Sequence, residues 1–339
     1  TDIHLGHNRN RTYNIINNLI HFFKVNLNKI KKVDMIVITG DVFHRLLNTY
    51  SEDYLMSIKW LTELIRFCSD NKIKLRILEG TPSHDWKQCS ILNDIVQNLK
   101  EDVDFKYIDT LYVEKINDLN LSICYLPDEY RHDAKDTYTE VLNILKENHL
   151  LKVDIMFGHG AFKYQMPDEN ISYHDETSYI NIVKYLISFG HIHTPSSFGI
   201  IKAPGSFDRT AHGEEHDKGA MLYTIEKGEC SFEFLVNKLA LKFITFNYTK
   251  EDNIENIVND VEKRIYKIEE GSFVRLLVNN NVFLSKSIKS LKNKYPNYTV
   301  EITKESEKKE QLSTRKVLDV ILEDSTFSIT KDNIEVLLF

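Results

Sequence analysis

The stretch Tyr185-Leu186-Ile187-Ser188-Phe189-Gly190-His191-Ile192-His193 decides how the chain is read. An apolar run that stops at a glycine and is followed by two histidines one residue apart has the form of a buried strand whose C-terminal loop carries ligands. Alone this is a weak signal, because paired loop histidines are commonly plain polar surface. Four other stretches keep it company: Asp2-Ile3-His4, Gly40-Asp41 after Met35-Ile36-Val37-Ile38, Ser83-His84-Asp85 after Leu75-Arg76-Ile77-Leu78, and Gly158-His159 after Asp154-Ile155-Met156-Phe157. Each holds His or Asp, and most follow an apolar, β-branched run. Five such sites in order predict one metal centre assembled from loops at strand ends. A ligating Asp-x-His belongs at the end of a strand, and no strand stands ahead of Asp2. A further core strand before Thr1 is therefore expected, from a truncated N-terminus or a mis-assigned start.

The 339 residues are enough for two domains, and 42% hydrophobic with 27% charged residues fits a globular protein that buries a core. No apolar run is long enough to span a membrane, and no basic-then-apolar leader is visible. Cys68, Cys89, Cys124 and Cys230 are scattered without a Cys-x-x-Cys pair, which points to a reducing, cytoplasmic setting rather than a disulfide or zinc-ribbon framework. The net charge of −7 excludes a globally basic nucleic-acid binder but not a local basic patch or a site whose metals supply positive charge.

Alternation of apolar runs and amphipathic stretches predicts an α/β first domain over 1–239. Helices are expected at Arg11 to Lys32, Tyr54 to Cys68, Ser90 to Leu99 and Lys135 to His149. Strands are expected at the runs named above and near Phe105 to Ile108, Tyr112 to Lys115, Leu121 to Leu126, Ser197 to Ile201, Met221 to Ile225 and Phe232 to Val236. A small α+β domain follows over 240–304. A charged hinge opens the segment 305–339, whose apolar tail through Leu338 and Phe339 is either docked on the core or a landing site for a partner.

Mixed carboxylate and imidazole ligands suit manganese, iron or zinc rather than calcium. One Asp between two ions brings them to roughly 3.5–4 Å, a pair that clamps a phosphate and activates water. Asp41, at the end of the most apolar strand, is the candidate bridge; a helix-capping Asp is the common alternative. His84 beside Asp85 forms an imidazole–orienter pair of the kind that protonates a leaving oxygen.

Together these residues resemble the five ordered motifs of calcineurin-like metallophosphoesterases. Ala203-Pro204-Gly205-Ser206-Phe207-Asp208-Arg209-Thr210, then Gly213-Glu214-Glu215 and Lys218-Gly219, narrow the resemblance to SbcD-type nucleases of DNA double-strand-break repair. The likeness covers about Thr1 to Ile302, with specific motifs only in the first domain. It implies a four-layer αββα sandwich with a DNA-capping domain over 240–304 and an ATPase-docking tail. It implies two Mn2+ per chain, with Mg2+ or Fe2+ as substitutes. Asp2, His4, Asp41 and His193 would hold metal one; Asp41, the Ser83 position, His159 and His191 would hold metal two. His84 would be the catalytic His, steered by Asp85. The implied partners are DNA, an SbcC-like SMC-type ATPase and a second copy of the chain.

One departure stands out. Where the family usually reads Gly-Asn-His-Asp, this chain reads Gly80-Thr81-Pro82-Ser83-His84-Asp85. Ser83 would bind weakly, bind through water, or leave the place to Thr81, with Pro82 shifting the loop; the variant is similar to phage-encoded relatives. Asn8, Arg9 and Arg11 are candidate phosphate contacts, as open to being a solvated helix start. Arg209 would hold a phosphate or a structural ion pair. His44, His174, His212 and His216 are read as surface residues or supports of ligands. Trp60 and Trp86 are read as packing residues. The function expected is a manganese-dependent DNA exonuclease and endonuclease. The alternatives are a general phosphoesterase on the same centre, or a DNA-binding scaffold subunit with a weakened site.

Overall fold

Apolar runs of about five residues closed by polar turns form the strands, and the amphipathic stretches between them form the covering helices. A computed structural model describes residues 1–99, 102–128, 133–166, 173–248, 254–278, 284–296 and 298–304. The elements run α1 (Thr12–Val25), α2 (Leu27–Ile30), β1 (Met35–Thr39), α3 (Glu52–Asn71), β2 (Lys74–Leu78), α4 (Pro82–Asp85), α5 (Ile91–Leu99) and β3 (Phe105–Ile108). Then come β4 (Tyr112–Ile116), β5 (Leu121–Leu126), α6 (Ala134–Glu147), β6 (Val153–His159), α7 (Glu176–Ile182), β7 (Val183–Gly190), β8 (Ser196–Phe198) and β9 (Ile201–Ala203). The last are β10 (Gly219–Glu226), β11 (Glu229–Val236), β12 (Phe243–Tyr248), α8 (Ile254–Ile265), β13 (Phe273–Val278), α9 (Leu284–Lys294) and β14 (Thr299–Lys304).

The fold is mixed α/β. Strands β1, β2 and β3 form a parallel sheet, and β4-β5-β6-β7-β9-β8 form a mixed one. β10 and β11 pair as an antiparallel hairpin, and β12-β13-β14 form a sheet of their own. All seven residues of β6 are buried, which is why its sequence is nearly continuous in apolar residues instead of alternating. Among the described residues no helix is long and apolar enough to cross a membrane.

Three apolar clusters hold these elements. One joins Ile15, Leu19 and Phe22 of α1 and Leu61, Leu64 and Ile65 of α3 to Leu75 and Ile77 of β2. Another packs Val141 and Leu145 of α6 and Tyr179 of α7 against Met156 and Ile187. The third brings Leu78 and Ile108 together with Ile123, Tyr125, Ile155 and Leu186. Arg76, fully buried in β2, crosses this last region: Nε and Nη2 donate to Glu114 of β4 at 2.9 and 2.8 Å. Helix α3 starts where the Ser51 hydroxyl accepts from the Tyr54 amide, and α6 where the Asp133 carboxylate accepts from the Lys135 amide.

The expected helix Arg11 to Lys32 is broken. Asn26 turns its amide back on the Phe22 carbonyl and separates α1 from α2, the local side-chain competition typical of Asn. The expected strand Ser197 to Ile201 is a hairpin, β8 and β9 around a Gly199-Ile200 turn, with Gly199 at φ +55°. Helix α7 was not expected; Asp175 caps it by accepting from the Ser178 amide.

The chain divides into two compact units: 1–244 with 268–273, and 245–267 with the described residues from 274. In the second unit α8 and α9 pack on each other, and α9 packs on β14. The hinge and docking segment assigned to 305–339 lies outside the described residues.

Candidate metal centre

The strands of the two sheets deliver their ends to one place. Thr1 to Leu5 runs parallel to the segment after β1: the Asp2, Ile3 and Leu5 amides donate to the Gly40, Asp41 and Val42 carbonyls at 3.1, 2.9 and 2.8 Å. Gly40 and Gly80 allow the approach. A Cβ on Gly40, itself at φ +84°, would lie 2.3 Å from His159 Nδ1, and one on Gly80 would lie 2.1 Å from the Asp41 nitrogen. Asp2, His4, Asp41 and His191 have φ of 50°, 55°, 50° and 92°. Left-handed backbone is uncommon for such residues, and its concentration at these four positions marks a site held in place by its surroundings.

Two groups of ligand atoms result. Asp2, His4 and His193 bring one atom each within 4.8 Å of one another, and so do Asp41, His159 and His191. Asp41 faces both groups: Oδ2 is 3.8 Å from His4 Nε2 and Oδ1 is 3.3 Å from His159 Nε2. The His4 and His193 Nε2 atoms are 2.9 Å apart. The His191 amide donates to Asp2 Oδ1 at 2.9 Å, tying the groups together.

The supports of the rings fit a metal. His159 donates from Nδ1 to the Thr39 carbonyl at 2.8 Å, which leaves Nε2 as the atom turned to Asp41. His193 Nδ1 is 2.9 Å from Glu214 Oε1, a carboxylate–imidazole pair that leaves Nε2 toward His4. Burial holds His4 and His191 below the ordinary imidazole range and so favours the neutral, ligating form. Burial opposes charge on His159 too, but the Asp41 carboxylate outweighs it and raises that ring to about 10. Asp41 is held well below the carboxylate range against its own burial, with His159 as the main cause. A cation between these groups would take over that pairing, releasing the His159 proton. The donor set thus fits one or two transition-metal ions.

Thr81, rather than Ser83, stands among the ligands. Its Oγ1 is 3.2 Å from His159 Nε2, 3.3 Å from His191 Nδ1 and 3.4 Å from Asp41 Oδ2, and its amide donates to Asp41 Oδ1 at 2.6 Å. Ser83 is exposed, and its carbonyl accepts from the Trp86 indole. Pro82 starts α4, so Thr81 faces the centre as the residue before the helix and Ser83 lies one step into it.

Asp85 does not steer His84. Its buried carboxylate accepts from the Phe43 and Gly80 amides, both at 2.8 Å, and so clips the β1 loop to the β2 loop. Burial, with Asp41 and Glu79 nearby, pushes its carboxyl well up. His84 is oriented instead by the His44 carbonyl, 2.6 Å from Nδ1. The His44 and His84 rings stack at 5.1 Å, and His44 Nδ1 lies 3.3 Å from His4 Nδ1. His4, His44 and His84 form a third group of convergent ligand atoms.

The segment from Ser206 to Lys218 supports His193. Glu214 accepts from Lys218 Nζ at 2.7 Å, and Lys218, 1% exposed, also donates to the His193 carbonyl and the Ser206 hydroxyl. Glu214 and Lys218 were visible in the sequence as part of a motif but without a role. Arg209 is structural: Nε, Nη1 and Nη2 donate to the carbonyls of Glu214, Ala240 and His216 at 2.8, 3.0 and 2.9 Å. Asn8, Arg9 and Arg11 are exposed beside the first motif. Trp60 is buried as expected, whereas Trp86 is 54% exposed.

No protein-family model matches the chain, and no curated protein matches it. Solved structures do align: one is 13% identical with a TM-score of 0.37 over 56% of this chain and 86% of its own, a likeness too distant to inform fold or function.

Proposed function

We infer that the protein is a two-metal phosphodiesterase that cleaves DNA. The observation that carries this reading is Asp41, whose two carboxylate oxygens face the Asp2/His4/His193 group and the His159/His191 group at once. A pair of manganese ions held there would neutralise phosphate charge and lower the pKa of water. The chain's own residues do the rest. Asp2, His4, Asp41, His193, His159 and His191 supply the ligands, with the Thr81 hydroxyl beside the second group. Glu214 fixes the His193 ring and the Thr39 carbonyl fixes the His159 ring. The His44 carbonyl beside His84 Nδ1 supports the reading in which His84 gives a proton to the departing oxygen.

The three apolar clusters support a finer reading of the α/β fold as an αββα metallophosphoesterase sandwich. The resemblance to SbcD-type nucleases supplies DNA as substrate, an SbcC-like ATPase as partner, a homodimer and action in the cytoplasm. The test is end-labelled duplex and single-stranded DNA incubated with manganese or magnesium, beside a chromogenic phosphomonoester. Manganese-dependent DNA cleavage lost in His84→Gln is expected. Two bound ions with monoester hydrolysis and intact DNA would overturn the nuclease. Fewer than two ions per chain and no hydrolysis would overturn the enzyme.

A further inference from the structure

The loops after β1 and β2 meet beside His84. Gln88 fastens them: its Nε2 donates to the Arg45 and Asp85 carbonyls, both at 3.0 Å, and its Oε1 accepts from the Leu47 amide at 2.8 Å. The His44 carbonyl, 2.6 Å from His84 Nδ1, joins them again. Two large apolar side chains stand on these loops in solvent, Leu46 at 59% exposure and Trp86 at 54%. Scattered exposed apolar residues are common, so exposure alone singles out neither. What singles out Trp86 is how it is held.

Trp86 and Lys87 both have left-handed backbone, at φ 49° and 54°. Two such residues in succession, neither of them glycine, are costly and persist only where their surroundings enforce them. Here the Lys87 amide donates to Glu79 Oε1 at 2.7 Å, and the Gln88 side chain clamps the next residue. The Trp86 indole Nε1 donates to the Ser83 carbonyl at 2.9 Å. The one polar atom of the ring is therefore used within its own loop, while about half of the residue still faces water. A pre-oriented indole in solvent, two residues after His84, has the form of a stacking platform, because every nucleobase offers it a flat π-face. Arg45 adds charge. It is exposed, one residue after His44, and its Nε donates to the Gly6 carbonyl at 3.1 Å, which sets the guanidinium against the loop of Asp2 and His4. A planar guanidinium anchored in this way suits a phosphate.

We propose that Trp86 and Arg45 form a nucleotide subsite of the centre: the indole stacks on an unpaired base beside the phosphate being cut, and the guanidinium takes a neighbouring backbone phosphate. The favoured substrate is then a single strand or a frayed end, since a paired base keeps its faces inside the duplex stack. The proposal rests on the reading of the centre as DNA-cleaving, which supplies the substrate. Its test reads binding in chelator, where no strand is cut, so that the two can fail separately.

The full chain is titrated with a thymidylate dodecamer and with an abasic strand of the same length, which keeps the phosphates and lacks the bases. Trp86→Ala is expected to weaken thymidylate binding about 5- to 150-fold and to leave the abasic strand unaffected, while Trp86→Phe retains most of the affinity. Thymidylate should quench the indole fluorescence of the parent protein but not of Trp86→Phe, whose remaining Trp60 is buried. Arg45→Ala should weaken both strands alike and lower the slope of log affinity against log salt by about 0.7. Unchanged thymidylate binding in Trp86→Ala, or an equal loss on both strands, would overturn the stacking role. Thymidylate binding unchanged in Trp86→Ala together with loss of a dimer in sedimentation would overturn it in favour of a contact with a second copy. Base-dependent quenching by a protein that cuts no DNA with manganese would uphold the subsite and remove the nuclease reading.

Discussion

Replacing Thr81 by Ala, beside Ser83 by Ala, separates the two residues that compete for the second metal group. Thr81 Oγ1 lies 3.2–3.4 Å from His159 Nε2, His191 Nδ1 and Asp41 Oδ2, whereas Ser83 is exposed. The Thr81 amide, which donates to Asp41 Oδ1 at 2.6 Å, survives the substitution, so Asp41 stays anchored and only the hydroxyl is lost. Removing a polar group that orients metal ligands costs about 10–100-fold in affinity. That corresponds to about 1.4–2.7 kcal/mol. Chelator-stripped protein titrated calorimetrically with manganese should show two binding events. In Thr81→Ala one of them weakens by that factor and the other holds; Ser83→Ala leaves both unchanged, and Thr81→Ser retains most of the affinity. Loss of a binding event in Ser83→Ala with none in Thr81→Ala would refute the assignment.

Glu214→Gln leaves the buried Lys218 without its carboxylate charge and leaves one amide oxygen where His193 and Lys218 each had a carboxylate oxygen. A buried charge deprived of its partner costs about 3–5 kcal/mol, which urea unfolding would read, and the double variant with Lys218→Met should recover part of it. Burial pulls the Glu114 carboxyl up, but Arg76 and Lys106 outweigh it and hold it at about 2, below the ordinary 4.5. An acid depressed in the fold stabilises above its unfolded pKa and loses that contribution as pH falls toward its folded one. About 3 kcal/mol should therefore disappear between pH 5 and 2, and Glu114→Gln should flatten that part of the urea-derived profile. Arg209→Lys gives up carbonyl contacts and should cost about 1.5–3 kcal/mol of stability, while the salt dependence of DNA binding stays as in the parent protein. A shallower salt slope would restore Arg209 as a phosphate contact.

Which parts of the centre were legible in the sequence follows from how each residue is placed. Asp41, His191 and His193 follow, and His159 ends, strands whose apolar runs announce both their ends and their burial, so a ligand two to four residues past the run has nowhere to go but the shared edge. The glycines at 40 and 190 were visible for the same reason, although what they touch was not. The β2 loop obeys different rules. Between Gly80 and Asp85 the chain turns into a single helical turn, and there a shift of two residues changes which side chain faces inward. Proline at 82 is favoured at the first helical position because its missing N–H is one the helix start leaves unpaired. That fixes Thr81 as the last extended residue, with its hydroxyl toward the imidazoles, and carries Ser83 outward. The same turn lets Asp85 accept one backbone amide from the β1 loop and one from its own, so a His-Asp dipeptide that reads as a catalytic pair is, in space, an imidazole held by the β1 loop and a carboxylate that clips that loop to the β2 loop.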